Sequence, residues 1–153
     1  MVNIVYWGIK RMKYIEIITK SAGETQKVGM FLSEEIIKEK KEKNKAVIIA
    51  LEGDLGGGKT TFVQGFAKGL GIKQRITSPT FVIMKKYDFL YHIDCYRIED
   101  KNLLDLDFKE IIDNKHNFVV IEWAEKVKKI LPKNTLWLKF EYLDKNKRRI
   151  LIK

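Results

Sequence analysis

A glycine-rich stretch that ends in lysine and threonine, residues 53–60, offers the clearest chemistry in the sequence. Its letters, G-D-L-G-G-G-K-T, fit G-x-x-x-x-G-K-[ST], the phosphate-binding loop (P-loop) of nucleoside triphosphatases. Glycines let the backbone turn its N–H groups inward, and a following helix N-terminus adds its dipole to the anion site. Lys59 is placed to contact the β- and γ-phosphates, and the Thr60 hydroxyl to ligate Mg²⁺. The stretch therefore predicts a nucleotide site with Mg²⁺ as cofactor.

The segments on either side distinguish this site from a glycine-rich turn that merely precedes a lysine. The apolar run 46–51 predicts a buried strand, and residues 61–70 predict a helix closed by Gly71. Strand, glycine loop and helix in this order are the context that the motif requires. The residues predicted to bind the nucleotide here are Gly53, Asp54, Leu55, Gly56, Gly57, Gly58, Lys59, Thr60 and Thr61.

Two carboxylates on predicted strands are candidates for the chemistry around the phosphates. Glu122 lies at the end of the apolar strand predicted at 118–123, the Walker-B position from which an acid binds Mg²⁺ directly or through water. Asp94 lies in the predicted strand 91–96, on the same face as His92, and could activate the attacking water. An acidic residue at a strand end is common by itself, so the assignment of Glu122 depends largely on the presence of the P-loop. Taken alone, His92 is more often a hydrogen-bonded structural histidine.

Several further residues have both a functional and a structural interpretation. The hydroxyls around Pro79, including Thr80, could sense the γ-phosphate or could simply form a turn. Thr25, in the first turn of a helix predicted by the capping box at 21–24, could reach the nucleotide or be a plain helix residue. Arg97 could contact phosphate or hold a carboxylate. Trp123 could pack over the site or present a partner surface.

Composition sets the broad class. A chain of 153 residues with 45% hydrophobic and 33% charged residues is expected to form one soluble domain with a proper core. No apolar run approaches the ~20 residues needed to cross a bilayer. One cysteine, Cys95, cannot form an internal disulfide, so a cytoplasmic protein is expected.

The net charge of +10 is unevenly distributed, with nine basic and two acidic residues in the segment 128–153, the basic tail. Such a tail could steer a polyanion or an acidic protein, or could be the solvated surface of a lysine-rich chain.

The pattern of elements predicts a single α/β P-loop domain over residues 12–153. A strand at 13–18 and a helix from Ala22 precede the P-loop unit. Two antiparallel hairpins, at 81–96 and 135–152, make the sheet mixed. Short helices are expected within 99–114 and 124–131. Residues 1–11 are an extension of unclear role, to which we assign no function.

Four motifs together resemble the TsaE family. They are G-D-L-G-G-G-K-T-T (53–61), S-P-T-F (78–81), H-I-D-C-Y-R (92–97) and V-I-E-W (120–123), and the resemblance covers about residues 13–152. The combination is far more specific than the P-loop alone. One departure is Gly57, where the family more often has alanine; this should loosen the loop without removing a ligand.

The resemblance implies a small ATPase of bacterial tRNA N6-threonylcarbamoyladenosine modification. It implies that the chain works with the TsaD–TsaB transferase, with ATP hydrolysis resetting that complex between turnovers. Lys59 and Thr60 would bind phosphate and Mg²⁺, Glu122 would be a Mg²⁺ ligand, and Asp94 would be essential to hydrolysis. tRNA would be touched indirectly or through the basic tail. No N-K-x-D guanine-reading motif is present, which favours ATP over GTP.

Two other functional classes stay open from the residues alone. A small nucleoside or metabolite kinase would also use a P-loop, although no acceptor pocket or arginine-rich lid can be read from the sequence. A non-catalytic nucleic-acid-binding module could be built on the basic tail. Phosphate release measured with and without acceptors would separate the kinase from the ATPase, and charge reversal in the tail would test RNA retention.

Overall fold

The fold is an eight-stranded mixed sheet with helices on both faces, seen in a computed structural model that describes residues 2–7, 12–40 and 43–153. The strands run in the spatial order β1-β2-β8-β7-β3-β6-β5-β4. Their bounds are β1 Val2–Trp7, β2 Met12–Thr19, β3 Val47–Glu52, β4 Met84–Tyr87, β5 Leu90–Asp94, β6 Phe118–Glu122, β7 Leu136–Tyr142 and β8 Arg148–Ile152.

Four neighbouring strands in the middle of the sheet are parallel. β3 pairs in parallel with both β6 and β7, and β6 pairs in parallel with β5. The remaining pairs are antiparallel: β1 with β2, β2 with β8, β7 with β8, and β4 with β5. The two predicted hairpins thus flank a parallel centre, and the predicted α/β P-loop fold with a mixed sheet is confirmed.

The helices occupy both faces of the sheet. Their bounds are α1 Ala22–Glu39, α2 Lys59–Gly69, α3 Asp100–Leu104 and α4 Phe108–Asp113, with a 3₁₀ helix at Ala124–Ile130. Ser21 caps α1 through its side chain, which accepts a hydrogen bond from the Glu24 backbone N–H, as the capping box predicts. Among the described helices, none combines the length and the apolar character that crossing a bilayer requires.

The central strands divide the core into two halves. Ile49 and Leu51 of β3 are buried with the aromatic residues of α2, whereas Ile48 and Ala50 face the cluster that contains α3 and α4. This alternation follows from the two-residue period of a strand. A strand that is apolar on both faces, as the run 46–51 predicts, is therefore buried between two layers of helix.

The largest differences from the sequence-based expectation are at the start of β4 and at the N-terminus. β4 begins at Met84 rather than at Phe81, because Ile83 adopts a left-handed backbone conformation with φ of 66° that interrupts the strand. Residues Val2–Trp7, for which no element was predicted, form an edge strand paired with β2.

Candidate functional site

The loop of residues 53–58 connects β3 to α2 at the carboxyl ends of the parallel strands. Gly53, Gly56 and Gly58 have positive φ angles of 132°, 76° and 96°, which residues with a Cβ rarely adopt. A Cβ on Gly53 would lie 2.2 Å from the carbonyl oxygen of Phe140 in β7. Glycine is therefore required both by the turn and by the close approach of the neighbouring strand.

Lys59, the first residue of α2, directs its ammonium back over the loop. Its Nζ donates to the carbonyl oxygens of Gly53 and Asp54, the latter at 3.0 Å, and lies 4.3 Å from the centre of the Trp123 ring. Burial lowers the pKa of this ammonium from its usual value, and the carboxylate of Glu122 opposes that effect. The buried Lys59 ammonium is thus stabilised by two backbone carbonyl dipoles and by the face of the Trp123 ring.

Glu122 connects three elements at the floor of the site. The Thr60 hydroxyl donates to Glu122 Oε1 at 2.9 Å, and His92 Nε2 lies 2.8 Å from the same oxygen. His92 is fully buried, and its contact fixes the carboxylate that the P-loop threonine meets. The hydroxyl oxygen of Thr60 and the carboxylate oxygens of Glu122 are the hard oxygen ligands that Mg²⁺ prefers.

Asp94 lies on β5, directly opposite Glu122 in the parallel register of β5 and β6. Its Oδ1 accepts from the Tyr96 backbone N–H at 2.8 Å, and its Oδ2 accepts from the Thr80 hydroxyl at 2.9 Å. The Thr80 and Ser78 hydroxyl oxygens are 2.6 Å apart. A carboxylate on the sheet therefore holds the hydroxyl-rich segment around Pro79.

Trp123 follows Glu122 in a left-handed backbone conformation with φ of 57°. A non-glycine residue in this region costs on the order of 1–3 kcal/mol, and such strain clusters at functional sites. The turn places the Trp123 ring beside Tyr96, with ring centroids 4.9 Å apart, and over Lys59. Of the two interpretations of Trp123, packing over the site is the one that the geometry matches.

These groups surround one cavity of about 340 Å³. Most predicted site residues line it: Leu55, Gly56, Gly57, Gly58, Lys59, Thr60, Thr61, Thr80, Asp94 and Glu122. Ser78, Tyr96, Trp123 and Arg148 complete the lining.

Three residues predicted to bind the nucleotide are not among those that line the cavity. Gly53 and Asp54 offer their carbonyl oxygens to Lys59 instead. Thr25 is 2% exposed and its hydroxyl lies 2.8 Å from that of Thr19, so it packs behind the loop near Gly58. Arg97 is exposed, with its guanidinium over the Phe81 ring.

Sequence reasoning missed Arg148 as a site residue. It lies at the start of β8, ninety-two residues from Gly56, whose carbonyl oxygen accepts from its Nε at 2.7 Å. No motif spacing connects the two positions. The one available signal was the arginine pair at 148–149, just after the turn of the predicted hairpin 135–152, in a segment rich in other cations.

Comparison with known proteins identifies the family. The family model described as "Threonylcarbamoyl adenosine biosynthesis protein TsaE" matches residues 19–150. A Bacillus subtilis protein named "tRNA threonylcarbamoyladenosine biosynthesis protein TsaE" is 41% identical over 107 residues, which cover 67% of this chain and 66% of that protein. A relative of the same name from Aquifex aeolicus is 36% identical over 90% of this chain and 94% of its own length.

A solved structure shares the fold. The crystal structure of Bacillus subtilis YdiB superposes with a TM-score of 0.69 at 28% identity, covering 94% of this chain and 87% of that one. The family match spans the first hairpin, most of the second, and all the motifs from the P-loop to the Glu122–Trp123 pair. The chain belongs to the TsaE family.

Proposed function

We propose that the chain is a Mg²⁺-dependent ATPase that serves tRNA threonylcarbamoyladenosine biosynthesis. The observation that carries this proposal is the single cavity in which the P-loop meets Thr60, Glu122 and Asp94. A volume of about 340 Å³ is at the lower end of the range of small-molecule sites. The family to which the chain belongs is named for this pathway, and its relatives carry the same name.

Within this proposal, the protein groups divide the work of hydrolysis. Backbone N–H groups of the loop and Lys59 bind the phosphates, with Lys59 exchanging its loop carbonyls for phosphate oxygens. Bound Mg²⁺ would neutralise charge on the β- and γ-phosphates. Thr60 and Glu122 would hold that ion, with His92 fixing the orientation of the carboxylate. Asp94, with Thr80, would position the attacking water.

The sparse ligand set supports Mg²⁺ bound together with a nucleotide. In the described part of the chain, no group of three or more His, Cys, Asp or Glu side chains could enclose a metal ion. Mg²⁺ usually binds through one or two protein oxygens together with substrate phosphates and water, rather than in an all-protein cage. A site of only Thr60 and Glu122 is therefore suited to a nucleotide-borne ion.

Exposed apolar side chains around the cavity mouth support a protein partner. Leu55 is 74% exposed and lines the cavity with Tyr96, while Phe81, 86% exposed, follows the lining residue Thr80. Large contiguous exposed apolar patches mark interaction sites. We infer that a partner covers this mouth, and the TsaD–TsaB pair is the partner that the family resemblance suggests.

The basic tail is a weaker candidate for RNA contact. Four of its nine cations lie within ion-pair distance of a carboxylate: Lys139, Lys147, Arg149 and Lys153. Their charges are therefore partly compensated within the fold. We propose that tRNA is reached mainly through the protein partners. We propose a cytoplasmic location, because the free thiol of Cys95 suits a reducing compartment.

The test is phosphate release from ATP by the chain with TsaD and TsaB, measured with Mg²⁺ and with EDTA. Glu122→Gln removes charge but keeps shape, so it should lower the Mg²⁺-dependent rate by at least about 10- to 100-fold, the loss typical of altering a group that only orients a metal ligand. Glu110→Gln, an exposed position on α4 outside the cavity lining, is the matched control and should not change the rate.

Two outcomes would contradict the proposal. If Glu122→Gln, measured with the partners, hydrolyses ATP at the wild-type rate, the Glu122 carboxylate does not bind Mg²⁺. Transfer of the γ-phosphate to a small acceptor, in place of phosphate release, would make the chain a kinase.

A further inference from the structure

A cavity of about 580 Å³ lies at the amino ends of the central parallel strands. Phe118, which begins β6, lines it together with Phe89, which directly precedes β5, and Asn44, which lies before β3. The P-loop follows the carboxyl end of β3, so the two sites are at opposite edges of the sheet. The proposed hydrolysis makes no use of this second cavity.

Three lysines and two aromatic rings give the cavity its chemical character. Lys40, Lys43 and Lys115 line it, and Lys40 Nζ lies 3.9 Å from the centre of the Phe118 ring. Phe89 is 37% exposed, and its ring centroid is 5.9 Å from that of Phe118. Burial and the charge of Lys43 lower the pKa of the Lys40 ammonium from its usual value. The two ammonium groups therefore repel each other, and a bound anion would offset that repulsion.

A further cavity of about 610 Å³ adjoins the first at the end of α2. Leu70 lines the first cavity, and Gly71, the next residue of the chain, lines the other. Its cations are Lys68, Lys73 and Arg75. We call the two cavities together the amino-edge groove. With six cations along it, the groove is suited to an extended ligand rather than to one small anion.

The charge of the amino-edge groove is not balanced by acids in its lining. Among the described residues, no Asp or Glu lines either cavity, and the ion pairs of those residues involve other cations than these six. Asp88 accepts a hydrogen bond from the lining residue Gln74 at 3.3 Å but itself lines neither cavity. The P-loop cavity, by contrast, contains Asp94 and Glu122. Clustered basic side chains of this kind are the electrostatic footprint of a polyanion.

We propose that the amino-edge groove binds a single-stranded segment of nucleic acid, with its phosphates on the six cations and a base against Phe89. Single-strand sites combine a cationic groove, which follows the backbone, with aromatic side chains on which bases stack. The amino-edge groove has both features, and all six cations lie outside the basic tail. The inference does not depend on nucleotide binding at the P-loop, which is at the other edge of the sheet.

The competing occupant is an acidic segment of a partner protein. Carboxylates would use the same lysines, so loss of charge weakens the binding of either ligand. An exposed aromatic ring distinguishes the two, because a base gains stacking energy on the face of the ring and a carboxylate does not.

The experiment follows the fluorescence anisotropy of a labelled oligouridylate of about 12 nucleotides, a length within the usual range of single-strand sites. The full chain is titrated at several KCl concentrations, as wild type and as the double variant Lys43→Gln/Lys115→Gln. At about 0.1 M KCl each phosphate contact contributes about fivefold in affinity, so the double variant should bind about 20-fold more weakly. Its slope of log Kd against log[KCl] should be shallower by about 1.4.

The matched control for charge is Lys101→Gln/Lys129→Gln. These exposed lysines, on α3 and on the 3₁₀ helix, line neither cavity of the groove. Removing the same number of charges there should change affinity by less than about twofold, because exposed charges beyond about 10 Å are screened at this salt concentration.

Phe89→Leu tests the stacked base, because leucine keeps an apolar side chain against Phe118 but has no aromatic face. It should weaken binding by about fivefold or more, whereas Phe89→Tyr, which keeps the ring, should bind like the wild type. Thermal unfolding of both variants checks that the fold is retained.

Four results would overturn the proposal. Equal losses in the two double lysine variants would mean that only the net charge of the chain matters. Unchanged affinity in Phe89→Leu, with poly-L-glutamate competing as well as unlabelled oligouridylate at equal charge, would favour an acidic protein. Displacement of the oligonucleotide by ATP with Mg²⁺ would place it at the P-loop instead. If the wild-type chain does not bind the oligonucleotide at all, the groove is not a nucleic-acid site, while the ATPase proposal stands.

Discussion

Asp94 and Lys59 line the same cavity but depend on different partners. Lys59 is a cation held by loop carbonyls, so it is placed to meet phosphates in the bound ground state as well as during reaction. Asp94 is an anion whose two oxygens are used by the Tyr96 backbone and the Thr80 hydroxyl. A carboxylate has no attraction for phosphate, so its proposed contribution is to the attacking water.

We therefore expect Asp94→Asn to lower hydrolysis much more than nucleotide affinity. Asparagine keeps the shape and can still accept from the Tyr96 N–H, but the negative charge is lost. Removing a water-activating group typically lowers the rate by on the order of 10²- to 10⁴-fold. Single-turnover hydrolysis, beside titration with a fluorescent ATP analogue, measures both quantities.

Lys59→Ala provides the comparison for Asp94→Asn. It should weaken nucleotide binding and hydrolysis together, because its charge contacts phosphate before and during the reaction. If Asp94→Asn abolishes binding as thoroughly as Lys59→Ala does, Asp94 is a structural or ground-state residue and the assignment fails.

The sequence predicted the site residues that local patterns determine. Lys59 and Thr60 follow from the P-loop, and Glu122 and Asp94 follow from their places on strands that end at the same edge of the sheet. Arg148 could not be predicted in this way, because its position depends on how β8 pairs with β7 beside the loop. That pairing connects parts of the chain that share no short-range pattern.

The contact between α1 and α2 fixes the helix that begins with Lys59. Three glycines allow the two backbones to approach closely: Gly29 on α1, and Gly65 and Gly69 on α2. A Cβ on Gly65 would lie 1.9 Å from the carbonyl oxygen of Gln26, which is backbone and cannot rotate away. The two helices would have to separate to admit one methyl group.

Gly65→Ala should consequently destabilise the fold, although alanine is the better helix former. Overpacking of this kind costs about 1–3 kcal/mol, which corresponds to a fall in Tm of about 2–10 °C for a chain of this size. Thermal unfolding followed by circular dichroism measures the change.

Gly23→Ala is the matched control for this substitution. Gly23 lies in the first turn of α1, where a Cβ would be 3.8 Å from the Ser21 hydroxyl and would meet no backbone. The same substitution there should leave Tm unchanged or raise it. A stable Gly65→Ala variant would show that the two helices are not as tightly packed as their glycines indicate.

At the scale of elements, periodicity predicted the central strands and α1, and failed where the backbone is strained. The segment 81–83 is apolar and was expected to be strand, but Ile83 has a positive φ that no local propensity predicts for a β-branched residue. Its carbonyl oxygen accepts from the Asp94 backbone N–H at 2.8 Å. A hydrogen bond to the neighbouring strand β5 therefore accompanies the break before β4, and the pattern of apolar residues does not report it.

The whole molecule places its site where three neighbouring parallel strands end. β3 leads into the P-loop, β6 ends at Glu122 and β5 ends at Asp94, and ligands of open α/β sheets bind outside such carboxyl ends. The hairpin of β7 and β8 reaches the same edge through Arg148. A ligand in the cavity would therefore touch the P-loop, the start of α2 and residues of β5, β6 and β8, rather than one loop alone.

Because the ligand would connect several elements at this edge of the sheet, and because it binds only the folded chain, Mg²⁺ and ATP together should raise the stability of the fold. At a ligand concentration one hundred times Kd, the expected gain is about 2.7 kcal/mol. For a domain of this length that gain corresponds to a rise in Tm of about 5–10 °C. Differential scanning fluorimetry with a non-hydrolysable ATP analogue measures this rise in Tm without turnover.

Adenosine, which lacks phosphates, should give little shift in Tm. EDTA should reduce the shift because Glu122 then faces a polyphosphate whose charge Mg²⁺ no longer neutralises. Lys59→Ala should reduce it as well. A full shift in EDTA would contradict the metal site at Thr60 and Glu122, whereas an equal shift with adenosine would mean that the base and ribose, not the phosphates, dominate binding.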